Sequence, residues 1–161
     1  MCLVCERIAA IRCGENSCFV KELNTGFVVL GDHQRFYGYT LFLYKDHISE
    51  LHELDWPIRM KFLEEMSLVT QAAAKAFNAE KMNCELLGNS AAHLHWHLFC
   101  RHAEDLNGNA ASGPVWWVPK EEMYSEIYRP KPKELEKMKT QLCVGLEALL
   151  AERVKEKHAH R

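Results

Sequence analysis

The chain has 161 residues, 48% hydrophobic and 26% charged, with a formal net charge of −2 and a mean hydropathy of −0.28. That balance describes one soluble globular domain, residues 1–161, long enough to bury a core, and excludes a disordered chain. A charge this close to neutral gives no basis for binding a nucleic-acid polymer or a membrane surface, and no run reaches the roughly 20 apolar residues of a spanning helix.

In chain order, Met1-Cys2-Leu3-Val4-Cys5-Glu6-Arg7 lacks the basic-then-apolar layout of a signal peptide, so a cytoplasmic, reducing location is expected. The seven cysteines have no framework spacing and read as thiols. Cys13, Cys18, Cys84, Cys100 and Cys143 are expected to be mostly buried as small apolar groups. Leu3, Ile8 and Ile11 suit a brief helix or turn. Ser17 to Gly31 reads as a hairpin around Asn24-Thr25-Gly26. After the polar Asp32 to Phe36, Gly38 leads into a third strand over Tyr39–Tyr44. Asp55 and Pro57 mark the start of a long helix, with Ile58, Phe62, Met66, Val69, Ala73 and Phe77 on one stripe that Leu63 widens.

Asn83 to Leu87 reads as a short strand, and Gly88-Asn89-Ser90-Ala91-Ala92 as a small-residue loop leading into His93-Leu94-His95-Trp96-His97-Leu98-Phe99. On a strand, alternation places all three imidazoles on one face and Leu94, Trp96 and Leu98 on the other; helical pitch would mix them. Glu104 to Gly113 has the composition of an exposed loop. Trp116 and Trp117 could line a pocket or bury a dimer surface, but tryptophan is more often buried for packing, and packing is the expectation. A last helix begins near Pro132, with Leu135, Met138, Leu142, Leu146, Leu149, Leu150 and Val154 on its stripe. Residues 155–161 are expected to be a frayed tail in which His158 and His160 are solvated. The order of elements predicts an α+β fold with a mostly antiparallel sheet of about five strands, the long helix packed on one of its faces.

Clustered imidazoles serve three chemistries. Neutral histidine nitrogens bind zinc at about 2.0–2.1 Å. A central His95 could attack phosphorus while its neighbours hold phosphate oxygens, helped by donors of the Gly88-Asn89-Ser90 loop. General acid–base catalysis without a covalent step is the third. Spacing leaves all three open.

The string His93 to Phe99 resembles, position for position, the His-φ-His-φ-His-φ-φ signature of the histidine-triad (HIT) superfamily of nucleotidyl hydrolases and transferases, φ being apolar. Cys2-x-x-Cys5, the strand after Gly38, Lys45-Asp46-His47-Ile48 and the long helix follow in the family's order, so roughly residues 1–103 are covered. The family's Pro-Arg after the triad is Cys100-Arg101 here. The resemblance implies a HIT-like fold and a nucleotidyl-histidine intermediate on His95, with His93 and His97 assisting. It also implies phosphate contacts from Ser90 and its neighbour Asn89, and a ribose contact near Asp32. Some members, and the related galactose-1-phosphate uridylyltransferases, hold structural zinc with positions that fall on Cys2, Cys5, His47 and His93; others lack the metal.

By the same resemblance the substrate is a nucleotide cleaved at its α-phosphate, first a dinucleoside polyphosphate such as diadenosine tetraphosphate, alternatively a nucleoside phosphoramidate. A nucleotide-binding interaction module with incidental turnover is the reading from another class. A homodimer is expected from the family, and no organic cofactor.

Overall fold

In the computed structural model, which describes residues 2–103, 105–106 and 113–159 with side chains to residue 156, the N-terminal pattern is a helix. This helix, α1 (Leu3–Arg12), buries Val4, Ile8 and Ile11, whose spacings of four and three form one stripe. Strands β1 (Phe19–Glu22), β2 (Gly26–Leu30) and β3 (Thr40–Tyr44) follow, then α2 (Trp56–Ala76), β4 (Lys81–Glu85), β5 (His95–Arg101), the one-turn α3 (Lys120–Met123) and α4 (Pro132–Ala159). The sheet is antiparallel throughout, in the order β1-β2-β3-β5-β4. An α+β class with a five-strand antiparallel sheet is what the sequence predicts. Among the described residues no helix is long and apolar enough to cross a membrane.

Alternation divides the sheet into two faces. Val28, Leu30, Phe42, Tyr44, Leu98 and Cys100 pack against α2 and α4, which contribute Phe62, Val69, Met138, Leu142 and Leu146 among others. Each such side chain, fully buried, contributes about 1.5–3 kcal/mol, so this side carries most of the apolar stabilisation. On the other face Phe27, Val29 and Leu43 meet α1, and Phe36 and Phe99 meet Val115, Val118 and Met123 from the segment after β5. Between α1 and that segment the sheet is left open.

Glu65 of α2 is buried and holds the β1–β2 turn: its carboxylate accepts from the Asn24 N–H (3.1 Å), the Thr25 N–H (2.9 Å) and the Thr25 hydroxyl (2.5 Å). Gly26 opens β2 instead of closing the turn; a Cβ there would lie 2.4 Å from the Leu43 carbonyl oxygen.

Several expectations are corrected. β4 lies two residues earlier than Asn83–Leu87, because its ladder with β5 ends at Glu85 and Gly88 turns the chain with φ +94°. Cys18 and Cys100 are buried, but Cys13 and Cys84 are exposed and Cys143 only half-buried. Ile58 and Val154 fall off their stripes into solvent. The last helix continues to Ala159 instead of fraying from Lys155. The His158 side chain, His160 and most of the Glu104 to Gly113 stretch lie outside the described residues.

Candidate active site and metal cluster

His95 and His97 lie on β5, and His93 stands just before it. The chain bends before β5, where the His93 N–H donates to the Ala91 carbonyl and the Leu94 N–H to the Ile48 carbonyl, both at 2.7 Å. The strand therefore begins at His95, and the His93 ring meets Cys2 and Cys5 of α1. His95 and His97 remain neighbours on β5, with ring centroids 4.7 Å apart, whereas His93 faces His47 at 5.4 Å.

His93 is fully buried and both its ring nitrogens are engaged. Its Nε2–H donates to the Tyr44 carbonyl at 2.9 Å, since a carbonyl can only accept, and Nδ1 is left with its lone pair. That nitrogen lies 3.7 Å from Cys2 Sγ and 3.5 Å from Cys5 Sγ, and Cys5 Sγ lies 3.4 Å from His47 Nδ1. Cys2 and Cys5, three apart at the start of α1, project together. All four ligand atoms lie within 4.8 Å of one another. A tetrahedral ion with Zn–S near 2.3 Å and Zn–N near 2.0–2.1 Å separates its ligands by about 3.5 Å, so the cluster has zinc dimensions. The His93–Tyr44 bond is the outer contact that orients a ligating imidazole. Burial opposes ionisation of the Cys2 thiol, but hydrogen bonds from Cys5 and Val4 outweigh it and lower its pKa; burial and then the Cys2 sulfur raise that of Cys5. A divalent cation would offset the repulsion between two thiolates.

His95 Nδ1 donates to the His93 carbonyl at 2.5 Å, which fixes the tautomer and leaves the lone pair on Nε2. The contribution of His93 to this histidine is thus its backbone oxygen; its ring lines neither of the cavities beside His95. His97 Nδ1 lies 2.6 Å from the Tyr39 hydroxyl. Burial, followed by the neighbouring His95, lowers the His97 pKa to about 4, so its ring is neutral at pH 7. Burial also raises the Tyr39 pKa, and the phenol keeps its proton.

Two cavities meet at His95 and His97. The first, of about 350 Å³, is walled by Leu3, Val4 and Arg7 of α1, Leu41 and Leu43 of β3, and Phe99, with Asp32 at its edge. Asp32 pairs with Arg7 and accepts from the Cys18 thiol at 3.4 Å. The second, of about 330 Å³, is formed by Leu87 to Ala91, which brings Asn89 and Ser90 beside the histidines, and by Trp116 and Tyr124. Within the single chain neither tryptophan is buried: Trp116 is 46% exposed and Trp117 65%.

Tyr39, Met123, Tyr124 and the lining role of Trp116 are not apparent from motif spacing. Tyr39 reads as an ordinary strand residue, and Met123 and Tyr124 arrive on a segment without periodicity. That segment is pinned over the sheet by Arg35, which donates to the Glu122 carboxylate at 2.7 Å and the Asp105 carbonyl at 2.8 Å, and by the Gln34 N–H to the Tyr128 carbonyl at 2.8 Å. The Trp116-Trp117 pair was the one signal available there.

A family model described as HIT domain matches residues 15–104. Among solved structures, a histidine triad protein from Bradyrhizobium japonicum is similar with a TM-score of 0.69 and 21% identity, over 84% of this chain and 94% of that one. One from Sinorhizobium meliloti has a TM-score of 0.65 and 26% identity, over 79% and 87%. A zinc-bound histidine triad family protein from Mycobacterium smegmatis has a TM-score of 0.63 and 16% identity, over 94% and 96%. No curated protein matches the sequence.

Proposed function

The chain belongs to the HIT domain family, and on that premise we propose that it is a nucleotide hydrolase or nucleotidyl transferase acting at the α-phosphate through a nucleotidyl-histidine. The observation that supports this best is the His95 Nδ1 bond to the His93 carbonyl, which leaves Nε2 as the attacking nitrogen in a histidine that lines both cavities. In the reaction Nε2 bonds to phosphorus, the bond from phosphorus to the leaving group breaks, and the leaving atom takes a proton from His97. An anionic phosphate bound beside His97 opposes the effect of burial and draws that proton onto the ring. Water then attacks phosphorus, giving a proton to His97, while the phosphorus–nitrogen bond breaks, returning the lone pair to His95 Nε2 and releasing a nucleotide. Ser90 and Asn89 contact phosphate oxygens, and Asp32 the ribose. Cys2, Cys5, His47 and His93 hold a structural zinc, which when bound supplies a crosslink between α1 and the start of β5.

The resemblance of the triad region favours dinucleoside polyphosphates such as diadenosine tetraphosphate as substrate. One observation favours phosphoramidates as a second reading. Among the described residues lining the cavities, Arg7 is the sole lysine or arginine, and it is paired with Asp32, so a long polyphosphate finds little countercharge.

The test is a panel of adenine and guanine dinucleotides and phosphoramidates, assayed on wild type and His95→Ala. Hydrolysis by wild type, its loss in the variant with binding retained, and nucleotidyl mass on His95 are expected. Equal turnover by the variant removes the covalent reading, and cellular function surviving in it favours an interaction module.

A further inference from the structure

Resting on that nucleotidyl-transfer reading and on Asp32 as its ribose contact, we infer that Arg7 and Cys18 make the site selective for a ribonucleoside over its 2′-deoxy counterpart, by fixing the Asp32 carboxylate as an acceptor for two adjacent hydroxyls. The backbone beside Asp32 is already held. The Gly31 N–H donates to the Tyr39 carbonyl at 2.8 Å, and the Gln34 side-chain amide donates to the Gly31 carbonyl at 2.8 Å. What stays free is the side chain, above all the broad sp³–sp² torsion that sets the carboxylate plane. Two side chains from other parts of the chain remove that freedom. Arg7 of α1 donates from Nη2 to Oδ2, and the Cys18 thiol donates to Oδ1 at 3.4 Å.

Cys18 is itself anchored: its N–H donates to the Asn16 side-chain oxygen at 3.0 Å, and its carbonyl accepts from the Leu30 N–H at 3.0 Å. Burial, followed by the Asp32 charge, raises the thiol pKa, so the sulfur remains the donor. The Arg7–Asp32 pair, with side chains 26% and 38% exposed, is too open to add much to folding; its effect is on direction. An ionised carboxylate has roughly four lone-pair sites. Among the described residues the guanidinium takes one on Oδ2 and the thiol one on Oδ1, which leaves a site on each oxygen. Two acceptor sites side by side match the vicinal 2′- and 3′-hydroxyls of ribose, whereas a 2′-deoxyribose fills only one. Asp32 and Arg7 line the first cavity, while Cys18 lines a separate one of about 300 Å³ that Asp32 also borders. The thiol is therefore a positioning group that holds the carboxylate without meeting the sugar.

The experiment measures kcat/KM for the phosphoramidates of adenosine and of 2′-deoxyadenosine with one common amine. Wild type is expected to favour the adenosine compound by about tenfold or more, the scale of one hydrogen bond to a charged group. In Arg7→Met and in Cys18→Ala the ratio should fall towards one, chiefly through KM for the adenosine compound, and Cys18→Ser, which keeps a donor, should retain it. A merely structural loss would slow both compounds alike and leave the ratio as it was. A ratio near one in wild type, or a ratio unaltered in either variant, overturns the inference. Asp32→Asn separates the two levels: a preference lost there but kept in Arg7→Met and Cys18→Ala leaves Asp32 as the ribose contact and removes its two positioning residues. Should neither compound be hydrolysed, the catalytic reading fails, and calorimetry of the same proteins with adenosine and 2′-deoxyadenosine monophosphate decides the inference. Tighter binding of the ribonucleotide, lessened in both variants, supports it; equal binding of the two overturns it.

Discussion

The Tyr39 hydroxyl lies 2.6 Å from His97 Nδ1, with the two rings parallel to within 7°. A phenol oxygen accepts from His97 Nδ1–H both when the imidazole is charged and when it is neutral with its lone pair on Nε2. Proton delivery and proton uptake through Nε2 can then occur on one fixed ring.

Tyr39→Phe is expected to lower kcat by about tenfold or more with KM little changed, and to shift the pH–rate profile. Phe keeps the stack on Phe99, whose ring is 4.3 Å from that of Tyr39, so the melting temperature should hold. Steady-state kinetics across pH checks this; an unaltered profile removes the positioning role.

Stability should fall on acidification. The folded protein holds the His97 pKa near 4 against an ordinary value of about 6.5, and burial lowers that of His93 as well. Below about pH 6.5 the unfolded chain takes up protons that the folded chain refuses, so stability is complete above that pH and is lost progressively towards pH 4. Urea midpoints between pH 7 and 5 should decline, and His97→Gln should flatten the decline.

Protein purified without added zinc is expected to carry about one zinc per chain, and chelation should lower its melting temperature. Cys5→Ser should lose the metal and show the lower melting temperature without chelator. Elemental analysis with calorimetry reads both, and a stoichiometry far below one with no thermal effect of chelation would remove the metal.

Glu65→Ala should cost about 3 kcal/mol, because two backbone N–H groups and a hydroxyl at the β1–β2 turn lose a buried acceptor. Chemical denaturation measures it. Glu65→Gln should also destabilise, since its amide N–H₂ would face N–H donors.

What the sequence reveals follows the range of each interaction. His95 and His97 are visible because alternation along a strand is local. The place of His93 just outside the strand is not, since the bend there depends on Leu94 bonding to Ile48, far back in the chain. Cys2, Cys5 and His47 are recognisable through the family resemblance, and their approach to His93 is a product of how α1 docks. Tyr39, Trp116 and Tyr124 come to the site by tertiary packing on elements whose patterns say only strand or loop. Glu65 stands at helical spacing from Phe62 and Val69, but the turn it holds is brought to it by tertiary packing.

The short helix α1 has two occupations. Its first turn carries Cys2 and Cys5, and Leu3, Val4 and Arg7 of the same turns wall the larger cavity. On the proposed function, a ligand that steadies the helix at one of these places would lower the ordering cost at the other, and metal and nucleotide affinity would each be raised by the other to the same factor. Oxidation of the two thiols would then be felt as weaker nucleotide binding, although neither sulfur lines the cavity.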